Sequence, residues 1–442
     1  MPKFVNREQE LTALQRACSP GMAVVSGRRR VGKTALLDTF AATQPAIFLP
    51  GTRAPVAEAM RRLEERVRQI APPAPGDLLD LGHLQSWDSA LGYLLARAAD
   101  KPLLLVLDEF PYLCESDPSL PSTLQARWDH RGDSQLSIIL AGSHVGMMEE
   151  LVASDAPLFG RPDMHLRLQP FSWRHAPLLV GGPDPEVWLE AYVTVGGMPR
   201  YLSLWDQRHD AAANLTEMLD GPGAPLGDEG TVVLQELTPG SAAARVLELV
   251  ALDAGSFTAI RDRAGLAPAT TSEALSSLER LGLLDRLTPV GEDPRRTKKV
   301  RYQVRDPFLR LWLGVVLPHR DAFEMGRGQA VLKRAADRIA ASQAAALRGV
   351  VTDWLAARTG VACGEWWGGP GQDVVDVMAV DGPHVVSAVS CHWAGGVDGG
   401  VWRDRLRREL DSRPDDVTVV ARTGSGVVTP GQMYEAAEAD VG

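Results

Sequence analysis

One short segment constrains the fold of this chain more than any other: an apolar run, a loop bounded by glycines and a helix-forming stretch follow each other directly. Residues 22–26 (MAVVS) predict a buried strand, and the residues from Lys33 to Phe40 predict a helix. The loop between them consists of Gly27, Arg28, Arg29, Arg30, Val31, Gly32, Lys33 and Thr34. It matches the pattern G-x-x-x-x-G-K-[S/T] in full, so it predicts a phosphate-binding loop in a parallel α/β sheet.

The chemistry of phosphate binding explains each part of this loop. Glycines let the backbone turn tightly, so that N–H groups converge on phosphate oxygens at the start of the helix around Ala35. Lys33 offers a compact positive charge to the β- and γ-phosphates of ATP, and the Thr34 hydroxyl can complete the shell of a Mg²⁺ ion. The side chains of the three arginines are expected to face solvent, which leaves the backbone as the binding element.

An acidic pair follows the most apolar run of the chain. Residues 103–107 (LLLVL) predict a fully buried strand, and Asp108 and Glu109 come directly after it. Alone, such a pair is often a simple turn. Together with the loop it predicts that Asp108 binds Mg²⁺ and that Glu109 is the general base for the attacking water.

Further strands alternate with helices, which indicates a parallel sheet. After the strand predicted at 136–141, Ser143 and His144 stand where an added central strand would bring a polar side chain to the γ-phosphate; the alternative is a strand-end cap. Arg161 could reach a phosphate in its own chain or from a neighbouring copy, or be an ordinary solvated arginine. The strand pattern is expected to stop after Arg161.

Several segments resemble the archaeal-type ATPases, which are AAA+/STAND-like P-loop proteins also found in bacteria. They are residues 4–11 (FVNREQEL), the loop, 107–113 (LDEFPYL), 141–143 (AGS), 158–161 (LFGR), 196–202 (GGMPRYL) and 302–312 (YQVRDPFLRLW). The resemblance implies that Arg7 and Glu8 flank the adenine, and that residues 172–235 form a helical lid. Asn6 departs from the glycine usual in the family, which is expected to matter little.

Residues 236–312 have the order of a winged helix-turn-helix: three helices and then a β-ribbon between Leu284 and Val304. The ribbon carries a cluster of cations that would suit a DNA backbone. These are Arg295, Arg296, Lys298, Lys299 and Arg301. The candidate recognition helix is expected to expose mainly Thr271, Ser272, Glu273, Ser276 and Glu279, a surface that is poor in the residues that read bases. Weakly sequence-specific backbone binding is therefore predicted, with protein contacts as the alternative.

Residues 313–442 resemble the PD-(D/E)XK nuclease-like domain in which members of this ATPase family often end. By that resemblance Asp376 is the metal-binding aspartate, while Ser390 and His392 replace the expected glutamate and lysine. The upstream helix offers Arg348 where a further glutamate is usual. One carboxylate cannot hold a hard divalent cation, so a nuclease-like fold without cleavage is predicted. Glu365 or Asp373 as substitute ligands are the alternative.

Composition limits the remaining options. The net charge of −10 argues against a chain coated with nucleic acid, although a local basic patch remains possible. The apolar runs are too short to cross a bilayer, no secretory signal is evident and the four cysteines are scattered, so a cytoplasmic protein without a membrane partner is expected.

The sequence thus predicts a multidomain protein: a P-loop ATPase core (1–171), a lid (172–235), a winged helix-turn-helix (236–312) and an α/β nuclease-like domain (313–442). Its predicted function is an ATP-hydrolysing switch or remodeller, using ATP and Mg²⁺, that acts on DNA, on a protein partner or on copies of itself. The alternatives are a DNA-binding regulator with ATP as a ligand and an ATP-gated, metal-dependent nuclease.

Overall fold

The computed structural model describes residues 4–72, 84–236, 241–252, 255–368, 374–410 and 414–439. The chain divides into two compact units, Met1–Pro170 and Phe171–Gly442. Within the described residues, no helix combines the length and the apolar character that a membrane span requires. The cysteines Cys18, Cys114, Cys363 and Cys391 are free thiols.

The first unit is a five-stranded sheet with helices. Its strands are β1 (Met22–Ser26), β2 (Ala46–Pro50), β3 (Leu103–Asp108), β4 (Leu136–Gly142) and β5 (Met164–Arg167). Its helices are α1 (Glu8–Ala17), α2 (Lys33–Ala41), α3 (Val56–Ile70), α4 (Trp87–Arg97), α5 (Phe110–Ser116), α6 (Leu120–Asp129) and α7 (Val145–Glu150). All neighbouring strands are parallel, in the order β2-β3-β4-β1-β5.

Burial explains why the central strands were readable in the sequence. Every residue of β1, β3 and β4 is buried, as expected for parallel strands with both faces covered. The added strand β4 pairs with both β1 and β3, which confirms the predicted insertion between them. Because parallel strands end at one edge, the loops after β1, β3 and β4 meet there.

The expectation that strands stop after Arg161 is wrong. Strand β5 follows and pairs with β1 from Ala23 to Ser26. It has only four residues, none of them fully buried, because it lies at the edge of the sheet. An edge strand lacks the continuous apolar run that identified its neighbours.

The second unit begins with helices and a ribbon. These are α8 (Ala176–Val180), α9 (Pro185–Val195), α10 (Pro199–Leu202), α11 (Ala211–Leu219), α12 (Glu229–Glu236), α13 (Ala242–Ala251), α14 (Phe257–Ala264), α15 (Pro268–Arg280), β6 (Leu284–Leu287) and β7 (Arg301–Val304). Strands β6 and β7 are antiparallel, and the predicted ribbon is strand only at its two ends. Ser241 and Ser256 cap α13 and α14 through their hydroxyls, as N-cap residues do.

The three-helix core forms from the predicted apolar positions, with one correction on the helix surface. Ile260, Leu275 and Leu278 are almost fully buried. Thr271, which was expected to be exposed, is also fully buried. Its hydroxyl donates to the carbonyl of Ala267, 3.0 Å away, so burial leaves no polar atom without a partner.

The rest of the second unit contains further helices and a mixed sheet. The elements are α16 (Pro307–Leu311), a π-helical turn (Trp312–Val316), α17 (Arg320–Glu324), α18 (Gly328–Arg334), α19 (Ala336–Thr359), β8 (Ala362–Trp367), β9 (Val374–Asp381), β10 (His384–His392), β11 (Val397–Asp398), α20 (Gly399–Glu409), β12 (Asp416–Ala421), β13 (Gly424–Ser425) and α21 (Pro430–Ala439). Four strands form one sheet in the order β12-β10-β9-β8, parallel only between β10 and β12. Asp373 lies outside the described residues.

The helical segment predicted as a lid packs against this C-terminal sheet. Trp173, Leu189 and Val193 share one hydrophobic cluster with α19 and with the strands β9 and β10. Arg422 forms ion pairs with Glu186 and Glu190 on α9. The helices, the winged helix and the C-terminal sheet therefore belong to one compact unit.

Candidate functional site

The phosphate-binding loop has the backbone that the motif requires. Gly27 and Gly32 have positive φ angles of 155° and 99°. A Cβ atom at Gly27 would stand 2.8 Å from the carbonyl oxygen of Leu168, so a side chain there would force the loop open. Arg30 also has a positive φ of 67°, which marks the loop as locally strained.

Lys33 is held inside this loop. Its side chain is 5% exposed, and its ammonium group donates to the carbonyl oxygens of Gly27 at 2.6 Å and Arg28 at 3.3 Å. Arg29 is exposed, as expected for the loop arginines, whereas Arg28 and Arg30 are only partly exposed. Thr34 and Ala35 are exposed at the start of α2, where a ligand can reach them.

Thr34 and Asp108 come together across the sheet edge. The Thr34 hydroxyl donates to the Asp108 carboxylate at 2.9 Å, although the two residues are 74 positions apart. Burial, opposed by this hydrogen bond, raises the pKa of Asp108 above its usual value. A hydroxyl and a buried carboxylate side by side are the oxygen ligands that Mg²⁺ uses with phosphates, so these residues fit that ion.

Glu109 has an unusual backbone and a fixed side chain. Its φ of 49° lies in the left-handed region, which is rare for a residue with a side chain. Its carboxylate accepts hydrogen bonds from the Ser143 amide at 3.0 Å and from the Ser143 hydroxyl at 2.7 Å. Ser143 therefore contacts the predicted base directly, whereas His144 caps α7 by accepting from the amide of Met147.

Two residues of the N-terminal signature lie beside the loop. Arg7 is buried and donates to the carbonyl oxygens of Val31 at 3.3 Å and Gln169 at 2.8 Å, while Glu8 is exposed. Burial lowers the pKa of Arg7, and its ion pair with Glu10 opposes that shift. Asn6 has a φ of 47°, which explains why asparagine can stand at a glycine position: it tolerates this conformation best among residues with side chains.

Arg161 lies away from the phosphate loop of its own chain. It forms an ion pair with Asp129 at 3.0 Å and lies shortly before β5. Asp163, between Arg161 and β5, accepts a hydrogen bond from the amide of Met22 at the start of β1. The loop Gly27–Thr34 follows the other end of β1, five residues further on. The structure thus does not bring Arg161 to its own nucleotide site, and action on a neighbouring copy stays a prediction.

The five cations predicted on the ribbon from β6 to β7 differ in their surroundings. Arg295, Arg296 and Lys298 are exposed. Lys299 is paired with Glu292 at 2.5 Å, and the guanidinium of Arg301 lies 4.4 Å from the centre of the Trp367 ring. Part of the positive charge that the sequence shows is therefore neutralised or stacked within the second unit.

The C-terminal candidate residues share one region of the mixed sheet. Asp376 accepts from the amide of Cys391 at 2.9 Å, and the Ser390 hydroxyl lies 2.9 Å from Nε2 of His392. Burial lowers the pKa of His392, whose ring packs against Trp402.

An arginine is paired with a carboxylate beside these residues. Arg348 forms an ion pair with Glu365 at 3.1 Å, and both side chains are largely buried. Burial opposes the charge of Arg348, but Glu365 and Asp376 outweigh it and raise its pKa. Glu365 is thus in contact with the Arg348 guanidinium, and Asp376 lies near enough to attract it. The sequence had offered Arg348 but not this pairing, which depends on the position of α19 over β8.

The loop, its lysine and hydroxyl, and the acidic end of β3 on one parallel sheet define a P-loop ATPase. Residues 4–204 match the ATPase domain found predominantly in Archaea, and residues 243–287 match the IclR helix-turn-helix domain. The chain therefore contains an ATPase domain of this type followed by a helix-turn-helix region. The ATPase match extends through α9 and α10, so it crosses the boundary between the compact units.

Two known proteins resemble most of the chain. It is 25% identical over 333 residues to an uncharacterized protein of Methanocaldococcus jannaschii, covering 73% of this chain and 71% of that protein. A Walker-type ATPase of Pyrococcus abyssi has a similar structure, with a TM-score of 0.54, 18% identity, and coverage of 71% of this chain and 98% of its own. The second likeness concerns the fold alone.

Proposed function

We propose that this chain is an ATP-hydrolysing switch or remodeller that acts on DNA or on a protein partner and carries a nuclease-like C-terminal module without cleavage activity. One observation supports the switch above all. Thr34 with Asp108, and Glu109 with Ser143, form two hydrogen-bonded pairs at the same sheet edge beside Lys33.

Each residue has a distinct task in the proposed hydrolysis. Lys33 leaves the loop carbonyls to neutralise phosphate charge, while backbone amides of the loop orient the phosphates. Thr34 and Asp108 hold Mg²⁺, which when bound neutralises charge on the β- and γ-phosphates. Glu109 accepts the proton of the attacking water, and Ser143 fixes the carboxylate at the correct position.

The second unit is the part of the chain that the switch would move. Helix α9 shares a hydrophobic cluster with α19 and the C-terminal sheet, and Gln343 donates to the buried hydroxyl of Thr194 at 2.8 Å. A nucleotide-dependent movement of the helical segment would therefore carry the winged helix and the C-terminal module with it.

The test is whether ATP turnover and DNA binding depend on each other. ATP hydrolysis is measured with and without duplex DNA, and DNA affinity is measured with and without ATP in the Glu109→Gln variant. Reciprocal coupling supports the switch. DNA binding without any effect on turnover favours the alternative, a DNA-binding regulator in which ATP is a ligand.

A nuclease-like module without cleavage is proposed because one of its carboxylates is already paired with an arginine. Arg348 faces Glu365 and Asp376, and Ser390 and His392 are hydrogen-bonded to each other. A metal cage needs several oxygen ligands, and these residues do not fit one. Cleavage of DNA by the purified chain with Mg²⁺ or Mn²⁺, lost on Asp376→Ala, would instead support the ATP-gated nuclease.

Self-association is proposed from the surroundings of Arg161. This residue follows Phe159, which is 51% exposed, on a part of the first unit away from its own phosphate loop. A neighbouring copy that covers Phe159 could receive Arg161 at its nucleotide. Size-exclusion chromatography with light scattering, with and without ATP, tests this; a Phe159→Ser variant that assembles as the wild type does would contradict it.

A further inference from the structure

The second unit contains a cavity of about 830 Å³ that the proposed ATPase cycle does not use. It lies between the ribbon β6–β7, helix α16 and the first half of α19. Five arginine side chains line it, against the two carboxylates of Asp337 and Glu365. The arginines are Arg301, Arg310, Arg334, Arg338 and Arg348. In a chain with a net charge of −10, this local excess of positive charge is unexpected.

Arg310 supplies a half-buried charge to this cavity. Its guanidinium donates to the carbonyl oxygens of Val304 at 2.7 Å and Ser342 at 3.1 Å, and its described hydrogen bonds reach no carboxylate. Burial lowers the pKa of Arg310 to about 10, so the group is still charged at neutral pH. Partial removal from water is costly for a charge that has no carboxylate in contact, and an anion in the cavity would offset that cost.

Ser342 provides an independent sign of a missing partner. It is 8% exposed and lines the cavity, and its hydroxyl has no hydrogen-bond partner among the described residues. Buried hydroxyls normally have a partner, and because this oxygen is closed to solvent, its side chain has to rotate for the hydroxyl to reach a ligand in the cavity. Its carbonyl already binds Arg310, which brings the two groups to the same wall.

The cavity is also large enough for a nucleotide-sized ligand. Arg301 stacks on Trp367 beside the cavity, and Arg334 and Arg338 are exposed at its rim. Ligand pockets typically measure about 300–1,000 Å³, so this volume accommodates more than a single phosphate. Guanidinium groups bind phosphate oxygens in pairs, and their excess over carboxylates favours an anion with several charges.

We propose that this cavity binds a phosphate-bearing ligand of nucleotide size, either a free polyphosphate or nucleotide or the end of a DNA strand. The site is separate from the phosphate loop of the first unit and does not depend on ATP hydrolysis. Arg310 and Ser342 bind at its inner wall, and Arg334 and Arg338 bind at its rim.

The experiment uses the full chain with Lys33→Ala, which removes nucleotide binding at the phosphate loop. Tripolyphosphate is titrated by calorimetry, and a fluorescein-labelled single strand of DNA is titrated by anisotropy at several salt concentrations. The charge reversal Arg338→Glu should weaken binding at least about tenfold and reduce the salt slope for the strand by roughly 0.7 for each lost contact. The matched control is Arg327→Glu, an exposed arginine outside the cavity, which should change affinity less than about twofold.

The outcomes separate the sources and the possible failures. Tripolyphosphate that binds and displaces the strand identifies a free phosphate ligand, whereas binding of the strand alone identifies nucleic acid. Either result supports the site when Arg338→Glu weakens the binding. Absence of any anion binding, or equal loss in Arg338→Glu and Arg327→Glu, overturns it. If Arg338→Glu unfolds, as judged by circular dichroism, the rim variant Arg334→Glu gives the same test. Because the Lys33→Ala background is used throughout, failure here leaves the proposed ATPase switch untouched.

Discussion

The carboxylates on the sheets of the two units have different kinds of partner. At the edge of the first sheet, Asp108 and Glu109 accept hydrogen bonds from hydroxyl groups, those of Thr34 and Ser143. In the second unit, Glu365 faces a fixed arginine, Arg348. Position on a sheet is therefore not enough to make a carboxylate a metal ligand, because a carboxylate paired with a protein cation is already neutralised.

Loss of the general base should produce the largest effect. Glu109→Gln should lower the rate of ATP hydrolysis by about 10²- to 10⁴-fold, because the amide cannot accept the proton of water. ATP binding should persist, since the loop and Lys33 are unchanged. Steady-state hydrolysis and equilibrium binding of labelled ATP measure the two properties, with the surface variant Glu115→Gln as control. Normal turnover in Glu109→Gln would show that another group is the base.

Removing Arg348 tests whether this arginine neutralises Glu365 in the second unit. Arg348→Ala leaves Glu365 buried without its partner, so the free energy of unfolding should fall by about 3 kcal/mol. The double variant Arg348→Met with Glu365→Gln should recover most of that loss, because no unpaired charge remains. Urea denaturation measures both, and the exposed Arg407→Ala serves as control. Equal stability of Arg348→Ala and wild type would mean that the ion pair does not balance this site.

The contact between Ser143 and Glu109 should have a smaller effect. Ser143→Ala removes the hydroxyl donor but keeps the backbone amide donor, so the carboxylate is held by one group instead of two. The rate constant for hydrolysis should fall about tenfold, the value of one hydrogen bond to a charged group. The affinity for ATP should stay within about twofold. A large loss of ATP affinity would indicate that Ser143 contacts nucleotide instead of positioning the base.

Asp108→Asn should give the smallest effect. It is a change in thermal stability, measured without nucleotide or metal. Burial raises the pKa of Asp108, so the folded state favours the protonated form. The stabilisation from that form is complete below the ordinary value of 3.8 and is lost as pH rises through the folded pKa. Asp108→Asn should therefore melt at a higher temperature than wild type at neutral pH, and the gap should shrink toward pH 4. Thermal melts across this range check the sign; a lower melting temperature at neutral pH would contradict it.

The sequence located the groups at the edge of the first sheet because they lie on loops that follow long apolar runs. Residues 103–107 and 136–141 are fully buried, so their hydrophobicity identified the strands and placed Asp108 and Ser143 at their ends. Edge strands gave no such signal: β5 and β8 are only partly buried. Their existence depends on hydrogen bonds to neighbours that are distant in the chain.

Contacts between distant elements were also beyond the sequence. The pairing of Arg348 with Glu365 requires α19 to lie over β8, and burial of Thr271 requires the three-helix core. The packing of α9 on the C-terminal sheet likewise places the helical segment in the second unit, although the family match joins it to the ATPase domain. Motifs indicate local chemistry, whereas contacts between elements that are distant in the chain depend on tertiary structure.

Calorimetric titration of the wild-type chain and of Lys33→Ala with Mg²⁺-ATP tests the central claim most directly. On the proposed assignment Lys33 and the loop amides supply the phosphate contacts, so the wild type should bind one ATP at the loop, with an affinity that depends on Mg²⁺. Lys33→Ala should lose that binding event while keeping its melting temperature in the absence of nucleotide. Equal affinity of the two folded proteins for Mg²⁺-ATP, or no binding by the wild type, would contradict the assignment of this loop as the nucleotide site.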